Sequence, residues 1–221
     1  MKHTGLPISS LEIFHGLTEQ KLNKIDQLFD LKQYKKHTVL FKPGDSRKVY
    51  IVKSGRVELY RITEEGRKFI VDVLKKGGIF GDFDLKFPTE IYAETIEETV
   101  IFSTSTDKFI DLLKDPALSV KLFKFIFNKL ILIEKKMTSL ATDNVFRKFL
   151  KLIVYLGKND ELLSIEHSMT DRYTHEQLSQ MLGVSRQTIT TLINDLENKG
   201  FLQRKKKRFI YDKDKLQKLI A

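Results

Sequence analysis

The hydrophobic period of this chain changes twice along its length, and few architectures accommodate both changes. Leu17, Leu22, Ile25 and Phe29 sit at helical spacing, with Thr18 placed to cap the helix. From Thr38 the period shortens. Val39-Leu40-Phe41, Val49-Tyr50-Ile51-Val52, Val57-Glu58-Leu59-Tyr60 and Phe69-Ile70-Val71-Asp72-Val73-Leu74 are rich in β-branched and aromatic residues and several alternate, so they read as strands. Pro43-Gly44-Asp45, Lys53-Ser54-Gly55, Glu64-Glu65-Gly66 and Lys76-Gly77-Gly78 separate them about every ten residues, the rhythm of an antiparallel sandwich or roll. A last strand pair is expected from about Ile91 to Ser105. Past Asp107 the helical period returns. Phe123, Ile126, Leu130, Ile133, Met137 and Leu140 are spaced 3, 4, 3, 4, 3, which is a coiled-coil seam, although a helix buried along one face of its own domain presents the same stripe. Val120, Phe127 and Ile131 lie on another side of that helix, so the expectation is that one face covers the β-domain and the other meets a second copy.

Thr142-Asp143-Asn144 reads as a break with capping residues, followed by an amphipathic helix marked by Val145, Phe149, Leu152, Ile153 and Leu156 and closed at Gly157. The chain thus divides into residues 1–115, 116–142 and 143–221, with 221 residues and 41% hydrophobic content enough for real cores. A net charge of +10 favours phosphate polymers or anionic surfaces as partners. The absence of cysteine excludes a disulfide framework, thiolate zinc, cysteine-ligated iron–sulfur clusters and a cysteine nucleophile, and fits a reducing cytoplasm. No apolar run of signal-peptide length follows the N-terminus. The greasiest stretch, 122–133, is interrupted by Lys124, Asn128 and Lys129, so no membrane association is expected.

The most specific local signal lies in the last third. Thr174-His175-Glu176-Gln177 has the form of a capping box, which starts a helix at about His175. Gly183 can take the positive φ of a tight interhelical turn, and Ser185 caps a second helix. Leu178, Leu182, Val184, Ile189 and Leu192 supply the apolar positions that lock the two helices together, and Ser179 is small where they approach. This is a helix-turn-helix. Arg186, Gln187, Thr190 and Thr191 open its second helix and are suited to base edges in the major groove: Arg to guanine, Gln to adenine, a Thr methyl to the thymine methyl. Thr174, Ser185, Thr188 and Lys199 are candidate phosphate contacts. So is the hairpin turn carrying Lys205, Lys206, Lys207 and Arg208 after Arg204, which would form a wing gripping the backbone. A basic run alone is also what a solvated turn looks like.

In this order, the β-rich part, the seam helix and the helix-turn-helix resemble the Crp/Fnr family of bacterial transcription regulators. The N-terminal marks are Leu40-Phe41-Lys42-Pro43-Gly44-Asp45, Ile51-Val52-Lys53-Ser54-Gly55-Arg56-Val57, Glu65-Gly66 and Gly78-Ile79-Phe80-Gly81-Asp82-Phe83. The C-terminal marks are Leu182-Gly183-Val184-Ser185-Arg186-Gln187-Thr188-Ile189, Leu196-Glu197 and Gly200-Phe201-Leu202. The resemblance implies an α+β chain: an N-terminal antiparallel β-roll like a cyclic-nucleotide-binding domain, a long dimerisation helix and a C-terminal winged helix-turn-helix. It further implies a homodimer on a palindromic double-stranded DNA operator, with RNA polymerase as another partner.

Members that bind cyclic AMP carry Gly-Glu-Leu at the start of a cassette and Arg-Ser-Ala at its end, the Arg holding the cyclic phosphate. Here the two ends read Gly81-Asp82-Phe83 and Ile91-Tyr92-Ala93, with Lys86 facing Asp82, Asp84, Glu90, Glu94, Glu97 and Glu98 in charge. The Thr-Ser pair that meets the base falls on Ile133-Glu134. The expectation is therefore an uncharged or cationic effector near Phe80, Asp82, Tyr92, Ile133 and Glu134, or none, and not cyclic AMP. The oxygen-sensing branch needs clustered cysteines and is excluded. His3, His15, His37, His167 and His175 neither cluster nor sit at a ligand spacing, which argues against haem and against a cupin-like metalloenzyme, and no Gly-x-Ser-x-Gly turn accompanies a histidine. No catalytic residue, metal or cofactor is expected. A partner-binding protein whose helix-turn-helix no longer touches DNA would have no need of Arg186 and the basic turn.

Overall fold

The computed structural model describes residues 8–45, 47–83, 89–158, 167–170, 172–205 and 208–220. The chain falls into two compact units, one ending at Ile131 and the other beginning at Leu132.

In the first unit, two 3-10 turns (Ile8–Ser10 and Glu12–Phe14) and α1 (Glu19–Asp26) precede eight strands: β1 (Asp30–Tyr34), β2 (Val39–Phe41), β3 (Lys48–Ser54), β4 (Val57–Ile62), β5 (Lys68–Leu74), β6 (Ile79–Gly81), β7 (Tyr92–Thr95) and β8 (Thr99–Ser105). They form two antiparallel four-stranded sheets in the orders β1-β8-β3-β6 and β2-β7-β4-β5. Strand alternation sends successive residues to different cores. Val52 and Ile101, opposite each other on β3 and β8, join Phe41, Val57, Leu74, Phe80 and Ala93 in a core drawn from both sheets. Their neighbours Ile51 and Phe102, also paired, face the other way and pack with Leu11, Phe14, Ile25 and Phe29. Both faces of β3 and β8 are thus buried. Burying each such side chain contributes about 1.5–3 kcal/mol, more than the differences in intrinsic strand preference among these residues.

The strands expected over about 91–105 exist, but they are not a pair. β7 lies between β2 and β4, whereas β8 lies between β1 and β3. The reason is visible in the two crossings, β3 to β4 and β7 to β8, which stack on each other. Ile96 N donates to Arg56 O at 3.1 Å and Arg56 N to Thr99 Oγ1 at 3.3 Å, while a Cβ on Gly55 (φ +84°) would lie 2.6 Å from Glu98 O. Two further strands carry little signal in the sequence. β1 is a polar edge strand, Asp-Leu-Lys-Gln-Tyr, and β6 is three residues long.

Gly81 closes β6 at φ +125°, and a Cβ there would stand 2.2 Å from the Lys48 carbonyl oxygen, which is backbone and has nowhere to go. Gly81→Ala is expected to lower the unfolding free energy of this unit by about 3 kcal/mol, read by denaturant titration. A loss below about 0.5 kcal/mol would show that β6 can shift away from β3.

Ser105 caps α2 (Thr106–Leu112), and α3 (Pro116–Thr142) opens on proline, whose missing N–H costs nothing there. The face of α3 turned to the sheets differs from the expected one. Leu118 is buried, Leu122, Phe125 and Lys129 are half-buried, and Lys129 Nζ lies 2.7 Å from Asp72 Oδ2 on β5. Val120, Phe127 and Ile131 are exposed instead. The inward stripe has the same 3-4 spacing as the seam, and its closing lysine disguises it in the sequence.

The second unit contains α4 (Val145–Leu156), β9 (Gly157–Lys158), β10 (His167–Thr170), α5 (His175–Leu182), α6 (Arg186–Asn198), β11 (Gln203–Lys205), β12 (Arg208–Asp212) and α7 (Lys213–Ile220), with strand order β11-β12-β10-β9. Asn144 caps α4 by accepting from Arg147 N at 2.9 Å, and the preceding Asp143 accepts from Ser139 Oγ and Lys151 Nζ, bridging the end of α3 and α4. Gly157 ends α4 as expected, but not as a left-handed cap. Its φ of −68° and ψ of 144° lead straight into β9. Glycine is needed because a Cβ would fall 1.7 Å from Tyr211 Oη, which donates to Ile153 O.

Candidate nucleic-acid interface

The helix pair α5–α6 is set by local chemistry at each end. Thr174 Oγ1 accepts from Gln177 N and Gln177 Oε1 accepts from Thr174 N, both at 3.1 Å, so the capping box is complete. Gly183 takes φ 66° and ψ 34°, the left-handed conformation that lets the chain leave α5, and Val184 N returns to Ser179 O at 3.1 Å. Ser185 Oγ then accepts from Thr188 N at 3.0 Å and starts α6. Leu178 and Ile189 are fully buried, and Leu182, Val184 and Leu192 are half-buried. Ile193 and Leu196 are fully buried too, one turn and two turns beyond Ile189. Ser179 is buried and its hydroxyl donates to Glu176 O, so the small side chain makes no demand on its neighbours.

Arg186, Gln187 and Thr191 are exposed on the first turns of α6, and Thr188 and Thr190 are half-buried. The two threonine hydroxyl hydrogens are used within the helix: Thr190 Oγ1 donates to Arg186 O at 3.0 Å and Thr191 Oγ1 to Gln187 O at 3.1 Å. Thr191 therefore presents its methyl group and an acceptor lone pair, suited to a thymine methyl or to an amino group of adenine or cytosine. Thr190 is also 2.9 Å from His175 Nδ1, a contact no sequence signal announced because it joins residues fifteen apart across the helix crossing. Burial, then Arg204 and Arg186, hold the His175 imidazole below its ordinary pKa, with Glu197 pulling the other way.

β11 and β12 form the expected hairpin, with Lys205 opposite Arg208 as the last pair before the connection between the strands. Lys205 is exposed and Arg208 half-buried, while Lys206 and Lys207 lie outside the described residues. Arg204 has a role that reading the basic run as a whole missed. Its guanidinium is 2.5 Å from Glu197 and 3.2 Å from Asn194 Oδ1, so it ties the wing to α6. Lys199 pairs with Asp195 at 2.9 Å, one helical turn back. Thr174 and Ser185, as caps, and Thr188, whose N–H bonds to the Ser185 hydroxyl, sit around the N-termini of α5 and α6, where backbone N–H groups already favour anions.

The candidate effector residues of the first unit are not gathered in one place. Phe80 is buried in the core between the sheets, stacked on Tyr50 at 5.0 Å. Tyr92, next to the core residue Ala93, points to the other face of its sheet and stacks on Tyr60 at 5.2 Å under Lys68. Asp82 serves the chain locally, accepting from Arg47 N at 3.1 Å and through its carbonyl from Thr106 Oγ1. Ile133 and Glu134 are exposed and belong to the second unit. Ile91, at the position matching the anchoring Arg of cyclic-AMP-binding members, is half-buried, and Asp84 and Lys86 lie outside the described residues. Nearby cations are paired: Arg56 with Glu97 at 2.9 Å, and Lys68 with Glu58 and Glu94. Among the described residues no three histidine, aspartate or glutamate side chains gather to hold a metal, and no helix is long and apolar enough to cross a membrane. The six seam residues of α3 are all 51–66% exposed.

Comparison with known proteins agrees with this geometry. The pattern of the family described as a cyclic nucleotide-binding domain matches residues 31–115, and that of the Crp-like helix-turn-helix domain matches residues 148–219. The chain is 22% identical to the global nitrogen regulator of Nostoc sp., over 83% of this chain and 85% of the relative. It is 25% identical to the cAMP-activated global transcriptional regulator CRP of Haemophilus influenzae, over 76% of each. Its fold is similar to that of a CooA mutant from Carboxydothermus hydrogenoformans, with a TM-score of 0.73, 25% identity and coverage of 88% of this chain and 89% of the other. A Thermus thermophilus transcriptional regulator of the CRP/FNR family gives a TM-score of 0.69 at 21% identity, over 86% and 98% of the two chains. Two matched domains in this order, and relatives that share both, leave the metalloenzyme alternative without support. With an antiparallel β-roll, a long helix and a winged helix-turn-helix following one another, the chain belongs to the Crp/Fnr family of DNA-binding transcription regulators.

Proposed function

We propose that the protein works as a homodimer joined along the α3 seam and binds a palindromic operator, reading bases with the first turns of α6. The observation that carries this reading is the row Phe123, Ile126, Leu130, Ile133, Met137 and Leu140, exposed at heptad spacing on a 27-residue helix. So much apolar surface in one stripe calls for a second copy. Residues 1–115 then act as sensor or scaffold, residues 116–142 as dimer helix and transmission element, and residues 143–221 as the DNA-binding part, with Thr142-Asp143-Asn144 as hinge. Sensor state would bias the spacing of two DNA-binding units as a population shift. Two recognition helices related by a dimer axis enter successive major grooves, so half-sites should lie about one helical turn apart. RNA polymerase follows as a further partner from the family, and a cytoplasmic location from the DNA substrate. Selection of bound sequences from a random DNA pool, with no ligand added, tests palindromy and effector independence together. Recovery of an unrelated set of sequences would refute both.

Cyclic AMP is not the effector in this reading. Ile91 stands at the anchor position, and Arg56, Lys68 and Lys129 are each already neutralised by carboxylates, so a cyclic phosphate would lose its hydration without gaining a cation. Calorimetry with cyclic AMP and cyclic GMP is expected to show no binding, and operator affinity no change. Micromolar affinity for either nucleotide would overturn this view of the roll. An uncharged or cationic effector, or none, agrees with a core in which Phe80 and Tyr50 already stack.

A further inference from the structure

His175 opens α5 and is half-buried against α6, with Nδ1 2.9 Å from Thr190 Oγ1. The Thr190 hydroxyl has one hydrogen, and it is donated to Arg186 O. Toward His175 that oxygen can only accept, so Nδ1 carries the hydrogen and the neutral ring keeps its lone pair on Nε2. A proton gained at Nε2 leaves the Thr190 bond intact.

The charges around this ring come from three elements. α6 contributes Arg186 and Glu197, and β11 contributes Arg204. On its own helix the neighbouring Glu176 is engaged by Gln180 Nε2 at 3.0 Å. Burial and the two guanidinium groups favour the neutral ring in the free protein, against the pull of Glu197. A DNA phosphate arriving beside Arg186 and the wing brings the opposite charge and offsets the guanidinium field, which favours the imidazolium.

We propose that His175 is a proton-linked DNA contact, its Nε2 taking up a proton as a backbone phosphate docks beside Arg186, so that operator binding is coupled to proton uptake at this one imidazole. The proposal rests on the reading of α6 as the DNA-facing helix. It also gives the Thr190 hydroxyl a positioning role, holding the ring, and leaves polar base readout to Arg186, Gln187 and Thr191. The imidazole pKa is higher in the complex than in the free protein. The extra affinity is therefore fully present below the free-protein value and is lost as pH rises through the value in the complex.

The test is operator affinity at constant salt between about pH 8 and about pH 5.5, with calorimetry in two buffers of different ionisation heat. The wild-type protein should tighten on acidification by up to about tenfold per pH unit, taking up as much as one proton. His175→Asn retains a donor for Thr190 and does not titrate, so its affinity should no longer change with pH over this range. A variant that keeps the wild-type slope would place the proton elsewhere and overturn the proposal. The imidazole Cε1–H resonance, followed in free and operator-bound wild-type protein, is a check that needs no variant; an unchanged titration midpoint would also overturn it. Tight but pH-independent binding defeats the proton link alone. Failure to bind DNA at every pH defeats the DNA-face reading and the link with it.

Discussion

Replacing Leu130 and Ile133 together with aspartate is expected to convert the protein to a monomer and to weaken operator binding by roughly 10²–10⁴-fold, the part of the affinity that comes from two linked half-sites. Both side chains are more than half exposed on α3, so neither substitution disturbs a core within the chain. In the proposed dimer, each places a carboxylate opposite its own copy across a two-fold axis. Burying such charges unpaired costs several kcal/mol per ion, far more than the apolar packing they replace contributes. Sedimentation velocity reads the assembly state, and an unchanged circular dichroism spectrum would show that the units still fold. A doubly substituted protein that still sediments as a dimer would put the seam elsewhere. The obvious second candidate is the exposed group Val120, Phe127 and Ile131, which the inward stripe of α3 leaves uncovered.

That second group marks where sequence reasoning stops. Periodicity identifies α3 as a helix with more than one apolar face, but Leu118, Leu122, Phe125 and Lys129 repeat with the same 3-4 spacing as the seam, and it takes the burial of Leu118 in the core and the Lys129–Asp72 pair to show which stripe meets the sheets. The same limit hides the partition of β7 and β8. Both are readable as strands from their own residues, yet their separation into different sheets is fixed by contacts at Arg56 and Thr99, more than forty residues apart. The helix-turn-helix is legible because its determinants are local: a capping box at Thr174, a left-handed glycine at 183 and a cap at Ser185, all within twelve residues. What α5 and α6 do to each other is not. His175 and Thr190 meet only because the helices cross, as do Arg204 and Glu197 because the wing folds back.

Base reading and phosphate grip should separate cleanly in a second pair of variants. Arg186 is exposed at the first position of α6, and a guanidinium there can bond bidentately to guanine O6 and N7. Arg186→Ala is expected to cost about 1–3 kcal/mol on the selected operator and to relax preference at one base pair, leaving affinity for random DNA nearly unchanged. A·T pairs should flank that guanine, because Gln187 suits adenine and Thr191 carries a methyl group. Neutralising Lys205, Lys206 and Lys207 acts differently. In the proposed complex these lysines grip phosphates and displace counterions, so removing them should weaken all sequences nearly equally and flatten the salt dependence by about one unit of slope for each phosphate no longer gripped. The wing stays in place in such a variant, because Arg204 anchors β11 to Glu197 independently of the turn. Affinity for random and selected DNA across a salt series, measured on both variants, distinguishes the two modes. Should Arg186→Ala lower both affinities by the same factor, Arg186 is a phosphate contact, and the base-reading face must begin at Gln187 and Thr191 instead.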